Sequence, residues 1–277
     1  MEPSKWLNYR EENSILLNIQ LRNMFIDTHT HLYGKQFEND RAAVLQRAID
    51  AGVGRFYLPA IDSLAMDDLL ALEAACPDVC IAMPGLHPCS VAATYQQELE
   101  YVAQWLSKRK FPAIGEIGLD LYWDKTFAAQ QTEAFRFQIE LALHYKLPIV
   151  IHTRNAMPET MAIVKEYIGR GLYGIFHCFG GSVAEAKAIV EMGFYLGIGG
   201  VVTYKHSGLA EVLPHIPLQH IVLETDAPYL TPIPFRGKRN ESSYLIYVAQ
   251  KLAEIYNVSL NEIEDQTTRN AQAVFAY

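Results

Sequence analysis

Cysteine is scarce in this chain, and its scarcity removes several classes of protein at once. The four present, Cys76, Cys80, Cys89 and Cys178, lack the paired spacing of a zinc knuckle. No secretory leader accompanies them, so they read as free thiols of a reducing cytoplasm rather than a disulfide framework. No apolar run reaches the ~18–20 residues that a membrane span needs. No Gly-x-Gly-x-x-Gly follows the first apolar segment, which weakens a dinucleotide-binding open sheet. Positive charge is also short. Lys and Arg number 23 against 31 Asp and Glu, a formal net charge of −8, so the chain does not coat nucleic acid through its overall field. A nucleic-acid enzyme stays open, because bound divalent cations and a few placed Arg or Lys act locally.

What is present is a long, core-forming chain: 277 residues, 50% hydrophobic and 19% charged, the balance of a globular protein with one large core. Short apolar runs predict eight strands, over residues 25–31, 55–60, 79–86, 113–119, 148–153, 174–178, 194–199 and 221–225. Between them, helical patterns cover 40–51, 64–75, 95–108, 127–145, 158–167, 183–192 and 209–215, and a pair at 243–256 and 260–275 closes the chain. Regular alternation of this kind means parallel strands with right-handed crossovers, and eight repeats close as a TIM (β/α)8 barrel. No linker composition divides the chain, so one domain is expected from residue 24 to 277, about the length of such a barrel. Residues 1–23 are more polar and stand apart as a short N-terminal extension, with the functional protein expected to begin near Met24.

Phe25-Ile26-Asp27-Thr28-His29-Thr30-His31 opens the first repeat. Read as a strand, it places Asp27, His29 and His31 on one face, where two imidazoles share a cation. The carboxyl ends of later strands add Glu116, His152, His177 and Asp226, so four of the nine histidines fall on the rim that carries barrel chemistry. Six such groups on one rim are costly unless paired or bound to metal. The expected division has His29, His31 and Asp226 on one ion, His152 and His177 on a second, and Glu116 bridging. Such a two-metal centre acts on in-line displacements. Mixed imidazole and carboxylate donors suit zinc, manganese, cobalt, nickel or iron, and substrate phosphates bring in magnesium.

The ordered set Asp27-Thr28-His29-Thr30-His31, Gly85-Leu86-His87-Pro88, Gly115-Glu116-Ile117-Gly118-Leu119-Asp120, Ile151-His152-Thr153-Arg154, His177-Cys178-Phe179-Gly180-Gly181 and Glu224-Thr225-Asp226-Ala227-Pro228 resembles the TatD family of metal-dependent deoxyribonucleases. The resemblance spans residue 24 to the end. It implies a TIM barrel, divalent metal, and hydrolysis of DNA phosphodiesters, often from the 3′ end of single strands. By motif match, the metal ligands would be His29, His31, Glu116, His152, His177 and Asp226. Glu116 stands where the wider amidohydrolase group uses a carbamylated lysine. Ser242 and Ser243 depart from the family's usual Pro, a change expected to affect only a helix start, since Ser is a good N-cap.

In the expected chemistry Asp226 is the general base, Glu116 the bridge, and His87 orients the scissile phosphate or protonates the leaving oxygen. Arg154 either grips a phosphate or pairs with a rim carboxylate. Lys205, Arg236, Lys238 and Arg239 are candidate backbone contacts. Tyr122, Trp123 and Phe235 either stack bases or pack over the mouth. Glu224 and Asp120 are candidates to orient histidines, while His144, His206, His215 and His220 read as ordinary helix or loop residues. Two rival readings are the same centre acting on another ester or amide, such as D-aminoacyl-tRNA or a small molecule, and a degraded site serving only for binding.

Overall fold

The computed structural model describes residues 24–276; the expected N-terminal extension lies outside them. The elements run β1 Phe25–Asp27, α1 Arg41–Asp50, β2 Val53–Pro59, α2 Ser63–Ala75, β3 Cys80–Met83, α3 Tyr95–Lys108, β4 Ile114–Asp120, α4 Ala128–Tyr145 and β5 Ile149–Arg154. There follow α5 Met157–Lys165, β6 Gly174–Phe176, α6 Val183–Glu191, β7 Tyr195–Ile198, α7 Leu209–Val212, β8 Ile221–Leu223, α8 Leu245–Tyr256 and α9 Leu260–Phe275. Asp62 caps α2 through the Ala65 N–H, and Ser182 and Ser259 close capping boxes with Glu185 and Glu262, which fixes where these helices begin.

Every strand pair is parallel. One ladder holds β1 to β3, and a second holds β4 to β8 in sequence order. Isolated backbone hydrogen bonds span both seams. Gly115 N–H donates to Pro84 O at 2.9 Å, and Glu116 N–H to Ala60 O at 3.1 Å. Across the other seam, Thr28 N–H donates to Leu223 O at 3.0 Å and Asp226 N–H to His29 O at 2.9 Å. The eight strands thus stand in a ring, the expected (β/α)8 barrel.

Strand alternation sorts the core into two layers. Phe56, Leu58, Ile149, Ile151 and Phe176 face the helices, within the large outer cluster. Ile26, Tyr57, Ile81, Val150, Ile175 and Val222 face the barrel axis and meet Ala271, Val274 and Phe275 of α9. Phe275 stacks on Tyr57 with ring centroids 3.8 Å apart, so the last helix plugs the N-terminal end. Its Asn270 holds it there, donating to Leu218 O at 2.8 Å and Ile221 O at 2.6 Å. None of the four cysteines forms a disulfide. Among the described residues no helix is long and apolar enough to cross a membrane.

Candidate metal centre

Two residues beyond the inward-facing apolar positions, the same strands turn polar. Val150 is followed by His152, Ile175 by His177, and Val222 by Glu224. Strand β4 reaches the mouth differently. Its pairing with β5 steps from Ile114↔Ile149 to Ile117↔Ile151, three residues against two, and this bulge carries Glu116. Gly118 permits the close approach that follows. At φ +145° it adopts a conformation disfavoured for side chains, and a Cβ there would stand 2.0 Å from His152 O.

The first strand corrects the sequence reading. It ends at Asp27, because Thr28 donates both its N–H and its hydroxyl (2.9 Å) to Leu223 O and draws the chain onto β8. His29 and His31 therefore project from a bend, not from a strand. Asp27 does not join them. Its carboxylate accepts from Thr225 N–H at 2.9 Å and from the Thr225 hydroxyl at 2.6 Å, and burial pushes its pKa up to about 7 against those bonds. Its work is to lock the end of β1 to the end of β8.

Glu116 is the hub. Its Oε2 lies 3.2 Å from His29 Nε2 and 3.6 Å from His31 Nε2. Its Oε1 lies 2.8 Å from His152 Nδ1, 3.2 Å from His177 Nε2 and 3.5 Å from His87 Nε2. Asp226 Oδ1 adds a second carboxylate, 3.5 Å from His31 Nε2 and 3.9 Å from His29 Nε2.

The second nitrogen of each ring decides what faces this hub, since hydrogen-bond partners fix the tautomer. The Tyr33 hydroxyl gives its proton to Pro59 O at 2.7 Å, so it accepts from His31 Nδ1–H at 2.8 Å. His177 Nδ1–H donates to Glu224 Oε1 at 3.1 Å, and the same oxygen takes the Cys178 N–H at 2.6 Å. His152 Nε2–H donates to Asp120 Oδ2 at 2.9 Å, and Asp120 Oδ1 is held by Tyr122 and Trp123 N–H. These three imidazoles consequently aim lone pairs at carboxylate oxygens, and His29 Nδ1 is buried without a partner. Lone pair against lone pair is repulsive, and only a cation between them resolves it. The donor set fits a divalent metal on this ground.

His87 is wired in the opposite sense. Its Nδ1 accepts the Cys89 N–H at 3.0 Å, which leaves the ring proton on Nε2, facing the mouth.

Without metal, protons occupy the gap. Burial opposes charge on His31, yet Tyr33, Asp226 and Glu116 hold its pKa well above the usual range. Burial is likewise outweighed at His177 by Glu224 and Glu116, and at His152 by Asp120 and Glu116, and both rise. Burial lowers His29, aided by His177, and lowers His87 against the pull of Glu116. Burial also works against ionisation of Glu116 and Asp226, but the surrounding imidazoles depress both.

Three groups have ligand atoms within 4.8 Å of one another: His29/His31/Glu116, His29/His177/Asp226 and His87/Glu116/His152. All six expected ligands belong to them; His152 and His177 fall in different groups, yet both meet Glu116 Oε1. His177 stacks on His29 at 3.7 Å and stands 6.1 Å from His152. Tyr33, which sets the His31 tautomer, was not expected; its only signal is its place two residues on, where a side chain can double back.

Around the mouth, Arg154 does not form the ion pair weighed as one reading. Its guanidinium lies 3.9 Å over Tyr122 and 5.1 Å from the Trp123 ring. Arg236 lies 4.1 Å over Tyr204, and Lys205, the next residue in the chain, is exposed. Arg239 is committed to Asp40 at 2.6 and 2.8 Å. Phe235 packs on Tyr244 at 4.3 Å, so packing accounts for it. Neither Ser242 nor Ser243 caps α8. Tyr244 holds the N-cap position, and Ser243 donates instead to Glu241 Oε1 at 2.5 Å.

Comparison with known proteins gives a consistent result. The family model described as TatD related DNase matches residues 26–276. YabD of Bacillus subtilis, described as an uncharacterized metal-dependent hydrolase, is 39% identical over 253 residues, spanning 91% of this chain and 99% of its own. The 3′-5′ ssDNA/RNA exonuclease TatD of Erwinia tasmaniensis is 31% identical over 255 residues, 90% and 98% of the two chains. The crystal structure of the Escherichia coli TatD homolog YjjV superposes with a TM-score of 0.85 at 32% identity, covering 91% of this chain and 98% of that one.

Proposed function

This chain belongs to the TatD related DNase family and is a metal-dependent hydrolase; we propose that it hydrolyses phosphodiester bonds of DNA, working from the 3′ end of single strands. One observation carries the reading: five imidazoles within 3.6 Å of the two Glu116 oxygens, three of them oriented with lone pairs inward. The family and the exonuclease relative supply the substrate class, and the cytoplasm, where the free thiols stay reduced, is the compartment we assign.

His29, His31, Glu116, His152, His177 and Asp226 would hold two divalent cations, with Glu116 shared. When bound, the cations supply Lewis acidity toward water and the phosphoryl group. The chain's own residues do the rest. Asp226 is the more open carboxylate, its side chain 15% exposed against 4% for Glu116. Depressed below the usual range, it is ionised at neutral pH and takes the proton of the attacking water. His87 offers Nε2–H and cannot accept a second proton without losing the Cys89 bond, so it orients a phosphoryl oxygen and does not act as the acid. Tyr33, Asp120 and Glu224 keep three rings turned inward throughout.

The test is hydrolysis of end-labelled single- and double-stranded DNA by the metal-supplemented protein, with Glu116→Ala as control. Stepwise shortening from the 3′ end of the single strand, absent in the control, is the expected result. Equal cleavage by the control would assign the activity to a contaminant and overturn the reading.

A further inference from the structure

Five arginines in the described chain lie over aromatic rings, and they divide cleanly. Arg109 lies over Phe111, Arg170 over Tyr167 and Arg239 over Phe37, and each spends its N–H edge on a carboxylate: Glu73, Glu140 and Asp40 in turn. Arg154 lies 3.9 Å over Tyr122 and Arg236 4.1 Å over Tyr204. Among the described residues, no carboxylate meets the edge of either one.

Both stand at the mouth. Arg154 ends β5, beside Asp120 of β4 in the ladder, and Asp120 orients His152. Arg236 follows β8, against a ring from the loop after β7. The two therefore sit at separate points around the ring of strands whose carboxyl ends carry the metal-capable cluster. A guanidinium held by its face cannot swing toward a rim acid, yet its five donors remain free in the plane, matched to phosphate oxygens. The aromatic face also replaces the carboxylate that would otherwise neutralise it.

We propose that Arg154 and Arg236 are two phosphate clamps at the mouth of the hydrolytic centre, so that the ligand is a nucleic-acid strand held by two of its phosphates, the one to be cut and the next one inward from the 3′ end. This rests on the phosphodiesterase reading and makes it specific. The local charge also resolves the acidic balance: in a chain of net charge −8, the aromatic-stacked arginines that meet no acid among the described residues are those placed to meet a polyanion.

The test is binding of a phosphorothioate single strand, which resists hydrolysis, to the metal-loaded protein by fluorescence anisotropy across a salt series. Each phosphate contact to a single strand contributes about 0.7 to the slope of log K against log salt. Arg154→Gln and Arg236→Gln should each flatten the slope by about 0.7, and the double variant by about 1.4. Arg170→Gln, stacked but paired, should leave it unchanged. A neutral methylphosphonate linkage next to the terminal bond should flatten the wild-type slope but not that of the variant whose clamp it meets. Slopes equal to wild type in both single variants, or no strand binding by the wild type, would overturn the proposal. Since binding is read without turnover, flattened slopes in a protein that cleaves no DNA would keep the clamps and remove the nuclease. Cleavage with unaltered slopes would do the reverse.

Discussion

The two ends of this barrel are made by the same strands, two residues apart, and they are chemical opposites. At the N-terminal end Tyr57, Val150, Ile175 and Val222 close on Phe275 of α9. At the other end His152, His177 and Glu224 extend the same inward faces. The lower layer gains stability by removing apolar surface from water. The upper layer gathers buried carboxylates and imidazoles, which is unfavourable until a cation arrives. One end keeps the barrel rigid so that the other can hold a cluster that would not hold itself together.

The sharpest way to break this division is one substitution at each end. Glu116→Gln removes charge from the hub, and because a metal clamp is worth several kcal/mol, kcat/KM on DNA should fall by about 10³ or more. Near-wild-type turnover would refute the hub. Phe275→Ala should cost about 3–5 kcal/mol of stability, lowering Tm by about 2–4 °C per kcal/mol, with specific activity retained well below the new transition. If instead the folded Phe275→Ala protein lost activity as Glu116→Gln does, the two ends would not be separable.

Between these extremes lies Glu224, in the axial column yet bonded to His177. Its Oε2 is buried without a partner, against Gly197, where a Cβ would come within 2.2 Å. Glu224→Gln keeps the shape but weakens the acceptor that sets the His177 tautomer. Metal affinity, read by competition with a chelator, should fall about 10–100-fold. An unchanged affinity would make Glu224 a packing residue.

How much of this the sequence discloses depends on how local the cause is. The strand-helix rhythm and the carboxyl-end positions of His152 and His177 follow from short-range pattern, and they stand as expected. The end of β1 does not, because the bond that bends it is made to Leu223, 195 residues away. The same holds for the stacking of His177 on His29 and for the His31 tautomer, which Tyr33 sets because its own proton goes to Pro59 O. The resting place of Arg154 was legible as two alternatives. The structure shows no rim ion pair for it and adds the stack on Tyr122 and Trp123, just beyond the β4 end of the ladder, which leaves its N–H edge for the other.

The proton content of the mouth gives a test by pH. His31, His152 and His177 have raised values in the metal-free protein, so their stabilising contribution is full below the ordinary histidine pKa and is lost as pH rises through the raised ones. Glu116 and Asp226 are depressed; theirs is present above the ordinary carboxylate range and is lost as pH falls through the lowered values. Metal competes with the imidazole protons. Affinity should therefore climb from mildly acidic through neutral pH, about tenfold per unit for each proton displaced. Titration calorimetry in buffers of differing ionisation heat should show protons released. A flat profile with no release would mean that these imidazoles are not ligands.

The smallest expected effect tests whether the rim after β8 belongs to either end. Glu241 accepts from Arg47 Nε at 2.9 Å and from Ser243 at 2.5 Å, tying the segment that carries Arg236 back to α1. Ser243→Ala removes one donor to a carboxylate that Arg47 still satisfies, so about 0.5–1.5 kcal/mol should be lost. Metal affinity should stay at wild type, because Ser243 touches no imidazole. A change in strand binding without a change in metal affinity would show that the rim tie positions Arg236; a change in metal affinity would show that the loop reaches into the centre itself, and that the boundary between scaffold and chemistry lies further out than the strand ends.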